Sequence, residues 1–252
     1  MRVSKLLYVA DTKVCELSST VCERLIPFQH AGVQEVVFLG TASSDQHAEG
    51  VPGFPVKNRV VVVDDLVPDI ILRVAEEEGI SLIVVGLDKG EERSYLKSIL
   101  KKLIDTSPLP LLIVNEKEGQ GEKGLFDHII FATDWSGPSE KALKYLLGFK
   151  DSMSTLEVVH VIHEKLTVRD IRQLKDRLVE TRKVCLDEGI DAESHIYAGK
   201  TWEEIVRASQ DYKGTLITLG ASTKKTMWKE LFTQSSILGV VSEAVVPVLV
   251  VP

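Results

Sequence analysis

Ser81-Leu-Ile-Val-Val-Gly86 and, after a helix-length gap, Leu109-Pro110-Leu-Leu-Ile-Val114 are answered in the second half of the chain. There the text reads Thr215-Leu-Ile-Thr-Leu-Gly220 and then Val246-Pro247-Val-Leu-Val-Val251. Each pair is a short apolar strand ending in glycine, a helical stretch, and an apolar strand opened by proline. A strand–helix–strand unit written twice at half-chain spacing predicts two homologous α/β domains. The chain has 252 residues, enough for two domains of ordinary size. The expected division is domain 1 over 1–117, a linker over 118–125 and domain 2 over 126–252. The stretch Glu116 to Gly124 is charged and glycine-rich without an apolar side chain, as a solvated linker is.

Working outward from the echo, Lys5 to Ala10 is an apolar run ending at Asp11, the pattern of a buried parallel strand. Helical spacing over 16–31 (Leu17, Val21, Leu25, Phe28) leads to a second strand over 33–39, a polar loop over 40–58 and a third strand over 59–63. Pro68 fits the first turn of a helix and Gly79 its end. A strand over 82–85, a helix around 95–104 and a strand over 111–114 complete the first copy. The second copy reads as strands 128–132, 155–162, 194–198, 216–219 and 248–251. Its helices follow Pro138 and then lie near 168–186, 202–209 and 235–243. It has a long helix where the first copy has only the 40–58 loop. Alternation of strand and helix predicts a parallel sheet covered on both faces, with right-handed crossovers.

Composition narrows the function. Hydrophobic residues make up 44% and charged residues 27%, as in ordinary globular proteins. A net charge of −7 argues against general nucleic-acid binding, although Lys97, Lys101 and Lys102 cluster, as do Lys224, Lys225 and Lys229. No apolar run approaches bilayer length and the N-terminus lacks a signal-peptide pattern, so a cytoplasmic protein with no membrane partner is expected. Cys15, Cys22 and Cys185 are too few and scattered for a disulfide framework or a zinc site. His160 and His163 straddle a strand end without metal-ligand geometry, and no nucleophile–histidine–acid arrangement is legible. No catalytic residue and no metal are therefore expected.

In an open parallel sheet, ligands bind outside the carboxyl ends of the strands where the strand order reverses. Asp134 follows strand one of the second copy and Gly220 ends strand four, so both should line that crevice. A carboxylate there accepts from a ribose or an amine. A glycine there admits close backbone approach by a phosphate. Ser235 and Ser236 open the last helix and can donate to phosphate oxygens. Read from the residues alone, Asp134 and Ser136 serve equally well as caps of the first helix, and Ser235 and Ser236 as caps of the last. Trp228 suits stacking on an adenine or a partner, and equally core packing.

Phe131-Ala-Thr-Asp134-Trp-Ser-Gly-Pro-Ser139-Glu-Lys-Ala-Leu143, with Glu157-Val-Val-His-Val-Ile162 and Gly199-Lys-Thr-Trp-Glu-Glu-Ile205, resembles the universal stress protein family. The resemblance covers nearly all of 126–252 and, more weakly, 3–115, making the chain similar to a tandem member. It implies two doubly wound, Rossmann-like parallel-sheet domains paired through their last strands, an intramolecular pseudo-dimer compatible with a homodimer of chains. It implies a non-enzymatic stress-response protein that binds AMP or ATP in the second domain only, with an unidentified protein partner. Asp134 and the Val161 backbone match the positions that hold adenosine, and Gly220 the first glycine of the phosphate loop. The loop departs from the pattern at Thr223 and Gln234, which carry Cβ atoms where the family has glycine, leaving Ser235 and Ser236 to contact phosphate. The first copy keeps Asp11 and Gly86 but has Lys89, Lys97 and Ser98 in the loop, so no triphosphate site is expected there. Two other classes of function remain open: an adenine-nucleotide hydrolase or transferase, and a pure interaction module without ligand.

Overall fold

In a computed structural model the described residues are 3–9, 25, 28, 32–41, 56–87, 93–115, 124–162, 165–222 and 232–252. Asp11, Cys15, Cys22, Lys89, His163, Thr223, Trp228, the Lys224/Lys225/Lys229 cluster, the Lys97 side chain and most of the linker lie outside them. The chain divides into two compact units, Met1–Glu122 and Lys123–Pro252.

In the first unit the strands are β1 (Lys5–Val9), β2 (Glu35–Thr41), β3 (Lys57–Val63), β4 (Leu82–Leu87) and β5 (Leu111–Asn115). Their order is β3-β2-β1-β4-β5 and their pairings are parallel. Leu6, Leu7, Tyr8 and Val9 are all but completely buried, as expected of a central strand covered on both faces. Helices α1 (Pro68–Glu77) and α2 (Arg93–Thr106) pack on each other. Pro68 stands at the start of α1, where its missing N–H costs nothing, and Gly79 follows the end at a φ of 62°. The expected 40–58 loop is shorter at both ends. Gly40 and Thr41 continue β2, while Lys57 and Asn58 begin β3, because the β2–β3 ladder runs unbroken from Glu35↔Lys57 to Thr41↔Val63.

The second unit repeats the plan with β6 (His128–Ala132), α3 (Gly137–Leu147), β7 (Thr155–Ile162), α4 (Val168–Asp187) and β8 (Asp191–Ala198). It continues through α5 (Thr201–Asp211), β9 (Leu216–Gly220), α6 (Gln234–Glu243) and β10 (Val248–Val251). The order is β10-β9-β6-β7-β8, again parallel, so the strand order reverses between β6 and β9. β8 is three residues longer at its start than the apolar pattern showed, because its register with β7 begins at Thr155↔Asp191, where the β8 residue is polar and exposed.

The long helix α4 buries Leu174, Leu178, Thr181 and Cys185, a stripe recurring at helical spacing. Burial pushes the Cys185 thiol up to about 11, so it packs as a small apolar residue rather than a nucleophile at neutral pH. The first turn of α4 is closed by a reciprocal cap. Thr167 Oγ1 accepts from the Asp170 amide, and the Asp170 carboxylate accepts from both the amide and the hydroxyl of Thr167. These donors hold the Asp170 carboxyl below the ordinary aspartate range. Replacing Thr167 by Ala is expected to cost about 1 kcal/mol, read as a lowered urea midpoint at unchanged slope. An unchanged midpoint would show that this cap contributes nothing to stability.

Candidate functional site

The turn from β6 into α3 is built from Thr133 to Ser139. The Thr133 amide continues the β6–β7 ladder by donating to the Val159 carbonyl at 2.9 Å. The chain then bends sharply: Trp135 has a φ of 55°, a left-handed conformation that a bulky side chain rarely adopts. Such a residue costs on the order of 1–3 kcal/mol and persists only where its surroundings fix it. Here they do. The Trp135 amide donates to Thr133 Oγ1 (3.1 Å), and its indole N–H donates to Thr181 Oγ1 on α4 (3.0 Å). The indole also stands against the His160 ring, with centroids 4.5 Å apart, and Arg177 lies over it.

Asp134 sits at the centre of this turn. Its Oδ1 accepts from the Ser136 amide (3.0 Å), the Ser136 hydroxyl (2.6 Å) and the Ser139 hydroxyl (2.5 Å). Ser136 is the N-cap of α3, and Ser139, in its first turn, is fully buried. The capping reading of Asp134 and Ser136 therefore holds as a description of their local contacts. It also fixes the carboxylate at the C-terminal end of β6, half-buried, at the reversal of the strand order.

Gly220 reaches the same place from β9. A Cβ built there would stand against the Pro138 carbonyl and the Ser139 amide, far inside contact distance. Glycine at this position lets the start of α3 close onto the end of β9, and α3 accordingly packs on β9 and β10. Close approach was read from the sequence; the group that approaches is protein backbone.

Val161 completes the constellation. The Val159 carbonyl points toward β6, and residues two apart in a strand present their backbone groups to the same side. The Val161 amide and carbonyl therefore face past the end of β6 at Ala132, beside the turn. His160 Nδ1 meets the Thr133 carbonyl at 2.8 Å and ties the two segments together. Asp134, Val161 and Gly220 are thus brought to one end of one strand.

Ser235 and Ser236 behave differently from the expectation that they cap α6. The N-cap is Thr233, whose Oγ1 accepts from the Ser236 amide at 3.3 Å, and the helix begins at Gln234. A threonine two residues earlier reaches the N3 amide, whereas serines within the first turn lie past the capping position. Their hydroxyls lie 2.9 and 3.0 Å from Thr233 Oγ1. They remain at the N-terminal end of a helix, where backbone N–H groups and hydroxyls suit an anion. The sequence assigns no role to Ser139 beyond its place in the motif, none to Trp135 beyond its presence there, and does not mark Thr181. The spacing of Ser136 and Ser139, three residues apart after an aspartate, was the available signal for the first.

A family model described as the universal stress protein family matches residues 31–115 and 125–252. A universal stress protein of Methanocaldococcus jannaschii is 30% identical over 156 residues, an alignment spanning 50% of this chain and 95% of that protein. Among solved structures, a universal stress protein from Archaeoglobus fulgidus aligns with a TM-score of 0.69 at 20% identity, over 97% of this chain and 95% of its own. A Pseudomonas aeruginosa protein described as functionally unknown aligns with a TM-score of 0.67 at 16% identity, over 99% and 92%. These two likenesses speak to the fold.

Gly220→Ala is expected to destabilise the protein by about 3 kcal/mol, since the group it strikes is backbone and cannot swing aside. Chemical denaturation measures this, and a cost below about 1 kcal/mol would show that α3 is not seated on β9 as described.

Proposed function

From the membership of this chain in the universal stress protein family, we propose that it is a regulatory protein whose second unit binds an adenine nucleotide, AMP or ATP, without turning it over. The observation that carries the reading is the convergence of the Asp134 carboxylate and the Val161 backbone at the reversal of the strand order in the second unit. A carboxylate held by three donors on one oxygen is preorganised to accept from ribose hydroxyls. An outward-facing backbone amide and carbonyl offer an adenine edge one donor and one acceptor.

The same geometry favours binding over chemistry. Asp134 Oδ1 already accepts from two hydroxyls and an amide, so the carboxylate is a fixed hydrogen-bond acceptor rather than a base aimed at a phosphate. The α3 N-terminus carries that carboxylate and would repel a phosphate. The α6 N-terminus, with the hydroxyls of Ser235 and Ser236, is the better place for phosphates. The nucleoside and the phosphates therefore draw on different residues.

Calorimetric titration of the full chain with AMP and ATP tests this. Saturable binding is expected, weakened on the order of tenfold by Asp134→Ala for both ligands, as for loss of a hydrogen bond to a charged group. The double change of Ser235 and Ser236 to Ala should weaken ATP more than AMP. Absence of saturable binding would overturn the reading in favour of an interaction module. Steady release of phosphate from ATP would replace it with a hydrolase.

A further inference from the structure

In the second unit, alongside β6 between the levels of His128 and Ala132, five side chains with metal-binding or hydrogen-bonding heteroatoms meet by the C-terminal end of α5. Glu157 lies within β7 and is 6% exposed, one of few buried carboxylates among the described residues. His128, the first residue of β6, places Nε2 2.7 Å from Glu157 Oε1. His195 of β8 places Nε2 2.6 Å from Glu157 Oε2. The other nitrogen of His195, Nδ1, is 2.9 Å from the hydroxyl of Tyr212, whose ring stacks on the imidazole at 4.2 Å. Glu193, two residues before His195 on β8 and largely exposed, brings Oε2 within 3.9 Å of His195 Nε2. The ligand atoms of Glu157, Glu193 and His195 all lie within 4.8 Å of one another.

We propose that Glu157, His195 and Glu193 form a binding site for a divalent transition-metal ion of the zinc class. One imidazole and two carboxylates, with no thiolate, suit such an ion and leave a fourth position for water. The buried Glu157 and the half-buried His195 are each already oriented by a partner outside the site. His128 holds Glu157 Oε1, which leaves Oε2 for the metal. Tyr212 holds His195 Nδ1, which leaves the Nε2 lone pair for the metal. Outer contacts of this kind set the tautomer and direction of metal ligands in proteins. Without metal, Nε2 and Oε2 share a hydrogen at 2.6 Å. In a tetrahedral zinc centre, bonds of about 2.0–2.1 Å place neighbouring ligand atoms about 3.3 Å apart. Metal entry therefore moves the imidazole proton from Nε2 to Nδ1, where Tyr212 Oη accepts it, and parts the pair by about 0.7 Å. β8 ends the strand order of its unit, and His195 opens on a surface groove with Tyr197 and Tyr212, so this edge has room to give. The exposed Glu193 side chain closes the site from the solvent side.

The probe is zinc alone, titrated calorimetrically into the full chain in a non-chelating buffer at neutral pH, without nucleotide. Saturable binding is expected. His195→Gln should weaken it on the order of 100-fold, and Glu193→Gln, a change at an exposed side chain that leaves the fold intact, about tenfold. Tyr212→Phe should also cost about tenfold although it removes no ligand, a loss that a merely structural tyrosine would not show once thermal melts without zinc confirm folding. Affinity should fall as pH drops, because the imidazole must be neutral to bind. No saturable uptake, or an affinity unmoved by either His195→Gln or Glu193→Gln, overturns the proposal.

Discussion

The second unit depends on one steric condition: the start of α3 must come down onto the last residue of β9, and only a residue without a Cβ permits it. From that contact the rest follows. Seated at Gly220, the helix brings Ser139 into full burial, where its hydroxyl needs a partner, and Asp134 is the acceptor within reach. Pinning Asp134 forces the chain through a left-handed Trp135, and the strain is held by the indole bond to Thr181 on α4. A turn that satisfies this many groups at once is a rigid mount, which is what an orienting carboxylate requires.

The two units solve a common problem beside their first strands with different chemistry. In the first, Lys5 opens β1 and Glu78 caps α1; Glu35 lies between them with Arg59, and Arg59 also pairs with Glu78. In the second, His128 opens β6 and Tyr212 caps α5, with Glu157 between them and His195. Burial alone would raise the Glu35 carboxyl, yet Lys5, Lys57 and Arg59 outweigh it and hold it below the ordinary range. That set is permanently charged and closed on itself. In the second unit His128 stands where the first has Lys5, and an imidazole can coordinate where an ammonium cannot. Glu35 stands opposite the first residue of β1 and Glu157 opposite the third residue of β6, so a structural ion-pair cluster in one copy and a candidate ligand set in the other lie two residues apart in register.

The framework was legible because central parallel strands are apolar on both faces and bounded by glycine or proline, a signal that survives without knowledge of the partners. Strand ends were less legible: β3 and β8 begin on polar residues, which pairing recruits and hydropathy does not mark. The site was legible in part. Asp134 could be placed because a strand end follows from topology, and Val161 only through the family resemblance. At Gly220 the sequence called for close approach by a phosphate, and the group the structure brings there is the backbone of Pro138 and Ser139. The cap of α6 fell at Thr233 rather than at the serines because serine and threonine compete for that role within one turn. The Glu157 cluster was missed for a plainer reason. Its hydrogen bonds join residues 29, 38 and 17 positions apart, across three strands and a helix end. The one local hint was a glutamate next to a run of apolar strand residues, Glu157-Val-Val, and a buried carboxylate demands partners.

The crevice lies past the end of β6 at the Thr133–Asp134 turn, while Glu157 and Glu193 stand level with Ile130 and His195 level with Ala132. Two to four residues at about 3.3 Å each separate them along the strand direction, roughly 7–13 Å. Coupling between two ligands over that span requires an element with two arrangements whose balance both ligands shift. β6 is poorly suited to be that element. Ile129 to Ala132 are buried to within 1%, and the strand is paired to β7 on one side and β9 on the other, so displacing it would open the core. β8 is better suited: it is an edge strand that carries His195 and Glu193, and the Gly199 turn beyond it hydrogen-bonds to Ile162, one residue past Val161. A movement of β8 on metal entry would reach the crevice through β7, by way of the backbone proposed to read the adenine. Linkage between the two ligands, if measured, is therefore expected to appear in nucleoside affinity rather than in the phosphate contacts of α6.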